Sequence, residues 1–468
     1  MVFAICKTYL SGKRLQSWSS HVRSTLALGT PLVGSHLAQM LIQTTDVVML
    51  GWYGVEELAG TILATQVFIL VLLIGSGFAF AVMPMAANAI AAGRDSEVRQ
   101  SVRMAALIAL VYSMLAIIPL SFLEKFLLLT GQQPELAHIA GQYMSIAQWA
   151  LIPGALVFVT RSFFSALERT QVVFWVVVLG AIWNAVLNYV FIFGNFGMPE
   201  LGARGAAISS VMTTSATLVA FLCYAYWRDE IRGYLFYRGF FQIDFHRLKE
   251  VFSLGWPISL SMLAETGLFT ASTLMVGAFG TLALATHGIV LQIVTIFFMI
   301  PLGMSNAATV RAARFWGRSE NNELRRASFV AVILAVAIAV VTMVLYLVLP
   351  DRLIPLFLDR EETRVVEIVA LGSTLLVVAA MFQIVDALQL VMSALLRGLK
   401  DTLIPMMIAV VSFWFVGLPT SYFLGFTFGL GATGVWWGLV FGLGLAAILL
   451  GLRLRVLLNA QPAMVPNN

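Results

Sequence analysis

Three carboxylates stand where a polypeptide crossing a bilayer would have no water. Asp46, Glu265 and Asp386 each lie inside an apolar run of membrane-spanning length, while the remaining acids among the 23 fall near the ends of such runs or between them. A charged side chain at the centre of a membrane helix costs roughly 2.5–3.5 kcal/mol on insertion scales. No Lys or Arg is expected at comparable depth beside them. Buried acids can be kept protonated and hydrogen-bonded as ties between helices. Three acids without a basic partner favour a different chemistry, the binding of a proton or a hard monovalent cation.

Helical spacing supports that chemistry. His36, Gln39, Gln43 and Asp46 recur at three, four and three residues, one polar stripe on one helix. Phe382, Asp386, Gln389 and Ser393 repeat the pattern, and Arg397 continues it. Ser261, Glu265 and Ser272 share a helical face, and "WNAVLNY" sets Asn184 and Asn188 one turn apart. Stripes of this kind belong in a bundle interior or a cavity, where Gln292 is a further candidate. Amide and hydroxyl oxygens beside a carboxylate suit Na+, or a proton held on the acid. Two carboxylates brought together, as Glu265 and Asp386 would be, resist simultaneous ionisation unless a proton or cation intervenes.

The elements that must hold these residues are membrane helices. Of 468 residues 60% are hydrophobic and 11% charged, with a mean hydropathy of +0.92. Soluble chains carry about twice that charge. Apolar runs of twenty residues recur from end to end, and none shows the alternation of a membrane β-strand. Twelve spans emerge, with span 1 near 26–50, span 7 near 252–277 and span 10 near 366–395. With both termini in the cytoplasm, most Lys and Arg fall on the inner side, and Lys125, Arg204, Arg352, Arg360 and Arg364 fall outside. Adding or removing one span would invert half of that distribution. The net charge of +5 is therefore explained by topology, not by nucleic acid. Cys6 and Cys223 are too far apart to suggest a disulfide or metal site. The first residues lack the apolar run of a signal peptide. No ATP-binding motif, intramembrane metal cluster or Ser/Lys pair points to an enzyme or a cofactor.

The chain is doubled. "LALGTPL" (26–32) matches "FSLGWPI" (252–258), pairing Pro31 with Pro257 at an offset of 226. Gly51, Gly54 and Gln66 pair with Gly277, Gly280 and Gln292 at the same offset, and "LGARGAA" matches "LGATGVW" further on. An even number of spans per copy makes the repeats parallel. The expected organisation is a cytoplasmic lead (1–25), a six-helix bundle (26–227), an interfacial linker (228–250), a second six-helix bundle (251–455) and a cytoplasmic tail (456–468). The duplication does not extend to the acids, since Asp46 aligns with Ser272 and Glu265 with Gln39. The two halves should do different work. His287 reads as a hydrogen-bonded helix residue, and the prolines at 31, 84, 257 and 301 as helix bends.

Taken together, "TTDVVMLGWYG", "WNAVLNYVFIFG", "LGARGAA", "AETG" and "FQIVDALQLVMSALLRGLKDT" resemble bacterial multidrug and toxic compound extrusion (MATE) transporters of the NorM type, over about residues 25–455. The resemblance implies two six-helix bundles in a V around a central cavity, and a monomer in the cell inner membrane. It implies export of organic, often cationic, drugs in exchange for Na+ or H+ by alternating access. Carried over by motif, Glu265 and Asp386 correspond to a cation site of the C-terminal half, and Asp46, Asn184 and Asn188 to a site of the N-terminal half. Phe382 stands where the family often has Tyr, so it offers a cation its π-face and no hydroxyl. Gln39, Gln43, Ser272, Gln292 and Gln389 are the candidates for the substrate cavity. A lipid-linked glycan flippase of related fold is the alternative, disfavoured because the deep charges are acidic.

Overall fold

The computed structural model describes residues 16–234, 242–358 and 364–459. Most of the expected lead, the centre of the linker and most of the tail lie outside these residues, as does Cys6. Helices form because a chain immersed in lipid must satisfy its own N–H and C=O groups. Twelve are long and apolar enough to cross a membrane: α1 (Trp18–Tyr53), α2 (Val55–Ala91), α3 (Asp95–Leu120), α4 (Pro134–Ala166), α5 (Thr170–Phe191), α6 (Ala203–Trp227), α7 (Phe245–Gly277), α8 (Thr281–Gly317), α9 (Asn321–Val348), α10 (Val365–Gly398), α11 (Leu403–Thr427) and α12 (Gly431–Asn459). The protein is an all-α, multi-pass membrane protein.

Two boundaries differ from expectation. α1 starts at Trp18 and α7 at Phe245, both in segments expected to precede a span. In each case a side chain caps the helix before the apolar run begins. Ser17 Oγ accepts from the Ser20 N–H at 3.3 Å, and Asp244 Oδ1 from that of Arg247 at 3.1 Å. Capping removes an unsatisfied donor and lets polar first turns stay helical. Pro31, Pro84, Pro257 and Pro301 all lie inside continuous helices. Gly280, between α7 and α8, has φ +105°, a conformation that only glycine adopts readily.

Arg94, Arg99, Arg103, Arg311, Arg314, Arg397 and Lys400 gather at one end of the helices, called here the basic end. At this end the two halves meet, α1 on α8 and α2 on α7. The contact uses equivalent positions twice over. A Cβ placed on Gly77 would lie 2.5 Å from the Ser259 nitrogen, and one on Gly303 would lie 2.4 Å from the Val33 nitrogen. Gly29 lies against Met304 just as Gly255 lies against Phe78. Both pairs of contacts are related by the same 226-residue offset. Small residues let helix backbones approach closely, which is how membrane helices gain packing energy.

Polar contacts reinforce this seam. Ser259 Oγ donates to the Ile74 carbonyl (2.6 Å), and Asn306 Nδ2 meets His36 Nε2 (3.1 Å). Arg247 bridges to Glu97 (2.8 Å) and Arg314 to Glu168 (2.6 Å). These hydrogen bonds and ion pairs between the halves lie at or below the level of His36 on α1. About 25 Å of α1 continues beyond it at 1.5 Å per residue. Trp52 and Leu274, on the far arms, are exposed. The result is a V with its apex at the basic end.

One buried cluster ties α1 to the C-terminal half. Arg311 donates to His21 Nδ1 (2.7 Å), to the His21 carbonyl and to Thr25 Oγ1. Arginine has no acceptor, so Nδ1 must accept and the imidazole proton sits on Nε2. That nitrogen faces Glu323 Oε2 at 2.9 Å, while Glu323 Oε1 accepts from the Gln16 N–H at 2.8 Å. Glu323→Ala removes both interactions from a site that is largely buried. It should cost roughly 2–3 kcal/mol, read as a lower melting midpoint in detergent. An unchanged midpoint would show that the cluster contributes nothing to stability.

Candidate functional site

In the N-terminal half the structure joins Asp46, Asn184 and Asn188. Asn188 is fully buried on α5 and donates through Nδ2 to Asp46 Oδ1 at 2.6 Å, with a longer approach of 3.4 Å to Asn184 Oδ1. Asn188 Oδ1 has no donor, while Asn184 also faces Asp46. A carboxylate and an unengaged carbonyl oxygen on adjacent helices form an acceptor-rich corner. Tyr143, buried on α4, lies within electrostatic range of Asp46. Nothing in the apolar run around Tyr143 marked it in sequence.

In the C-terminal half Asp386 is 2% exposed and lies within electrostatic range of Glu265. Asp386 Oδ1, Gln389 Oε1 and both polar atoms of Gln383 lack hydrogen-bond partners. Residues 383, 386 and 389 follow one another at three-residue steps, so acceptor oxygens line one side of α10. Gln383 was absent from the sequence-derived set although its spacing from Asp386 equals that of Gln389. Tyr346 on α9 is also fully buried, with an unpartnered hydroxyl and an electrostatic interaction with Asp386. Hard oxygens clustered about two acids are the donor set that a monovalent cation or a proton requires.

Glu265 is half-buried on α7, one turn beyond the apex contact made by Met262. Its position is fixed from α11, whose chain takes a π-helical course over Val411–Gly417. Trp414 from that stretch donates to the Ala264 carbonyl at 3.1 Å and packs on Gly267. Widened turns of this type concentrate at functional sites.

The other candidates have surroundings of their own. Phe382 is fully buried, wedged edge-on between Phe269 (5.9 Å) and Trp436 (5.7 Å). Ser272 is fully buried and donates to the Leu268 carbonyl of its own helix at 2.8 Å, so it does not reach a cavity. His36 leaves the stripe of Gln39 and Gln43 to contact Asn306 at the apex. Gln39, Gln43 and Gln292 lie on the parted arms, the last two exposed.

The expectation of no deep basic residue is also corrected. Arg161 is buried on α4 and donates to Ser35 Oγ at 3.3 Å, and Arg397 interacts electrostatically with Glu265. Both sit towards the basic end of their helices, where a long stem reaches inward from an apparently terminal position. His287 behaves as expected. Trp436 Nε1 donates to its Nδ1 (3.1 Å), so Nε2 carries the proton and meets Thr273 Oγ1 (3.0 Å), which donates to the Phe269 carbonyl (2.9 Å).

The MatE family profile matches residues 31–190 and 257–423, a stretch in each half. The chain is 41% identical over 446 residues to the probable multidrug resistance protein NorM of Agrobacterium fabrum, covering 95% of this chain and 96% of that one. Identity to the protein of the same description from Rhizobium meliloti is 42% over 450 residues, covering 96% of each. The fold is similar, with a TM-score of 0.84, to an outward-facing structure of a multidrug resistance MATE family transporter, 20% identical, over 96% of this chain and 100% of that one. With a stretch of each half matched and identity above 40% sustained over nearly the whole length, the chain belongs to the MatE family.

Proposed function

We propose that the protein is a multidrug efflux antiporter. It exports small organic compounds, often cationic, across a bacterial inner membrane in exchange for Na+ or H+. The basic end is cytoplasmic, with both termini there, and the working unit is a monomer needing no bound cofactor beyond the coupling ion. The observation that carries this reading is the electrostatic interaction of half-buried Glu265 with buried Asp386, just beyond a closed apex in a chain of this family. The names of the relatives, multidrug resistance proteins, support the substrate class.

In this reading the V faces outward. A cation entering from outside satisfies oxygens of Asp386, Gln389 and Gln383 that lack partners. Its charge relieves the repulsion between the two acids and allows the far arms to close as the apex parts. Substrate binding from the cytoplasm and cation binding then oppose each other by linkage, each promoting release of the other. The test is purified protein in proteoliposomes loaded with a cationic dye. An imposed Na+ or pH gradient should accelerate dye movement by about tenfold or more over no gradient, within the range of coupling energies known for linked sites. Equal rates under all three conditions would overturn antiport.

A further inference from the structure

A narrow cleft of about 50 Å³, room for a few water molecules, runs inside the C-terminal half, from Glu265 towards the basic end. Its polar lining is Ser261 and Glu265 from α7, Gln389, Ser393 and Arg397 from α10, and Asp401 ahead of α11, with α12 closing the last side. Every lining residue belongs to the C-terminal half, so the cleft is distinct from the space between the arms of the V. Protein interiors seldom keep voids larger than a water molecule, and those with polar walls hold water.

The walls form a ladder. Gln389, Ser393 and Arg397 are successive turns of α10, about 6 Å apart along the axis. Gln389 is 5% exposed, and its Oε1 has no hydrogen-bond partner in spite of its place on this wall. At the foot, Asp401 is held by Arg453 Nε at 2.8 Å. Lys400 beside it binds Glu250 at 2.8 Å, which places the mouth among the charges of the basic end. A carboxylate at each end and a lone acceptor between them suit a small hydrated cation and would reject an apolar drug.

Arg397 occupies the path. Its guanidinium interacts with Glu265 and lies 6.0 Å over the ring of Phe80, which belongs to α2 in the other half. Phe80 sits next to the apex seam, three residues from Gly77. Parting the halves at the basic end therefore withdraws Phe80 from Arg397. A fixed guanidinium in a narrow, poorly screened passage repels a second cation.

We propose that this cleft is a hydrated passage carrying the coupling cation between Glu265 and the cytoplasm. Arg397 blocks it for as long as the closed apex holds Phe80 against the guanidinium. The proposal rests on the antiport reading and adds that cation and drug leave by separate doors. The test uses full-length protein of known orientation in proteoliposomes, with Cys6→Ser and Cys223→Ser. A thiol introduced by Ser393→Cys should react with a membrane-impermeant methanethiosulfonate added at the basic end, slowly while Arg397 is in place and faster when it is combined with Arg397→Gln. Arg397→Gln should raise the leak of radiolabelled Na+, or of protons under a pH gradient, by about tenfold or more without substrate, since one charge sets the local ion concentration. Arg397→Lys should keep the leak low.

Labelling from the opposite end only, no labelling from either end, or an unchanged leak in Arg397→Gln would overturn the passage. Labelling and leak as stated, with Glu265→Gln and Asp386→Asn retaining gradient-driven efflux, would uphold the passage and remove the coupling role of the acids.

Discussion

Asp386→Asn should abolish most gradient-driven efflux, by about 100-fold, while the protein still inserts and folds. That loss equals about 2.8 kcal/mol at 1.4 kcal/mol per tenfold, a modest share for removing the charge from a cation's ligand set. The fold should tolerate the change for a specific reason. Asp386 is 2% exposed and its Oδ1 has no partner, so the native structure buries a carboxylate with little compensation. An amide of the same shape removes that desolvation penalty. Without cation, the melting midpoint of the variant should equal or exceed that of the parent. Dye efflux in proteoliposomes and thermal melting in detergent check the two halves of the expectation. A variant that melts early but transports normally would make Asp386 a structural tie between helices.

Gly303→Val should prevent closure of the apex and shift the protein towards the state in which the far arms approach. The added Cβ would stand 2.4 Å from the Val33 nitrogen and 2.6 Å from its Cα, backbone atoms that cannot turn aside. Overpacking of this kind costs about 1–3 kcal/mol, enough to change a two-state ratio about 5- to 150-fold. Spin labels at Trp52→Cys and Leu274→Cys, both exposed on the far arms, report the change as a shorter distance population. Gly77→Val should do the same, because its Cβ would meet the Ser259 nitrogen and the Gly255 carbonyl. Unchanged distances in both variants would mean that the apex does not open during the cycle.

Legibility in the sequence followed the reach of each physical signal. Hydropathy and the placement of Lys and Arg revealed the twelve helices, because a bilayer acts on every span alike. Repeated Gly and Pro positions exposed the duplication. Asp46, Asn184 and Asn188 converge because two polar positions one turn apart on α5 have few other places to go. Periodicity places a residue on one side of a helix without saying which neighbour covers that side. Ser272 shares a face with Glu265 yet bonds to its own backbone, and Phe382 is enclosed by Phe269 and Trp436. The depth of Arg161 and Arg397 was hidden for the converse reason, since both lie towards helix ends in sequence while their stems reach inwards. Tyr346 and Trp414 are ordinary letters in apolar runs. Only three-dimensional packing brings them to Asp386 and to the Glu265 turn.

The seam at the apex also bears on ancestry. Position 77 faces 259 while its counterpart 303 faces 33, and 29 faces 304 while 255 faces 78. Reciprocal contacts of this kind are what a two-fold homodimer builds, each subunit offering the same patch to the other. A single six-helix ancestor carrying these two glycine positions and their facing partners would already have possessed the surface needed to pair with a second copy of itself. Because each unit has an even number of spans, both copies could insert in the same direction and meet without any reversal of topology. Fusion into one chain then released each copy from identity with the other. Asp46 became the acid of one half and Glu265 with Asp386 the acids of the other, while the joint that once served two equal partners was kept.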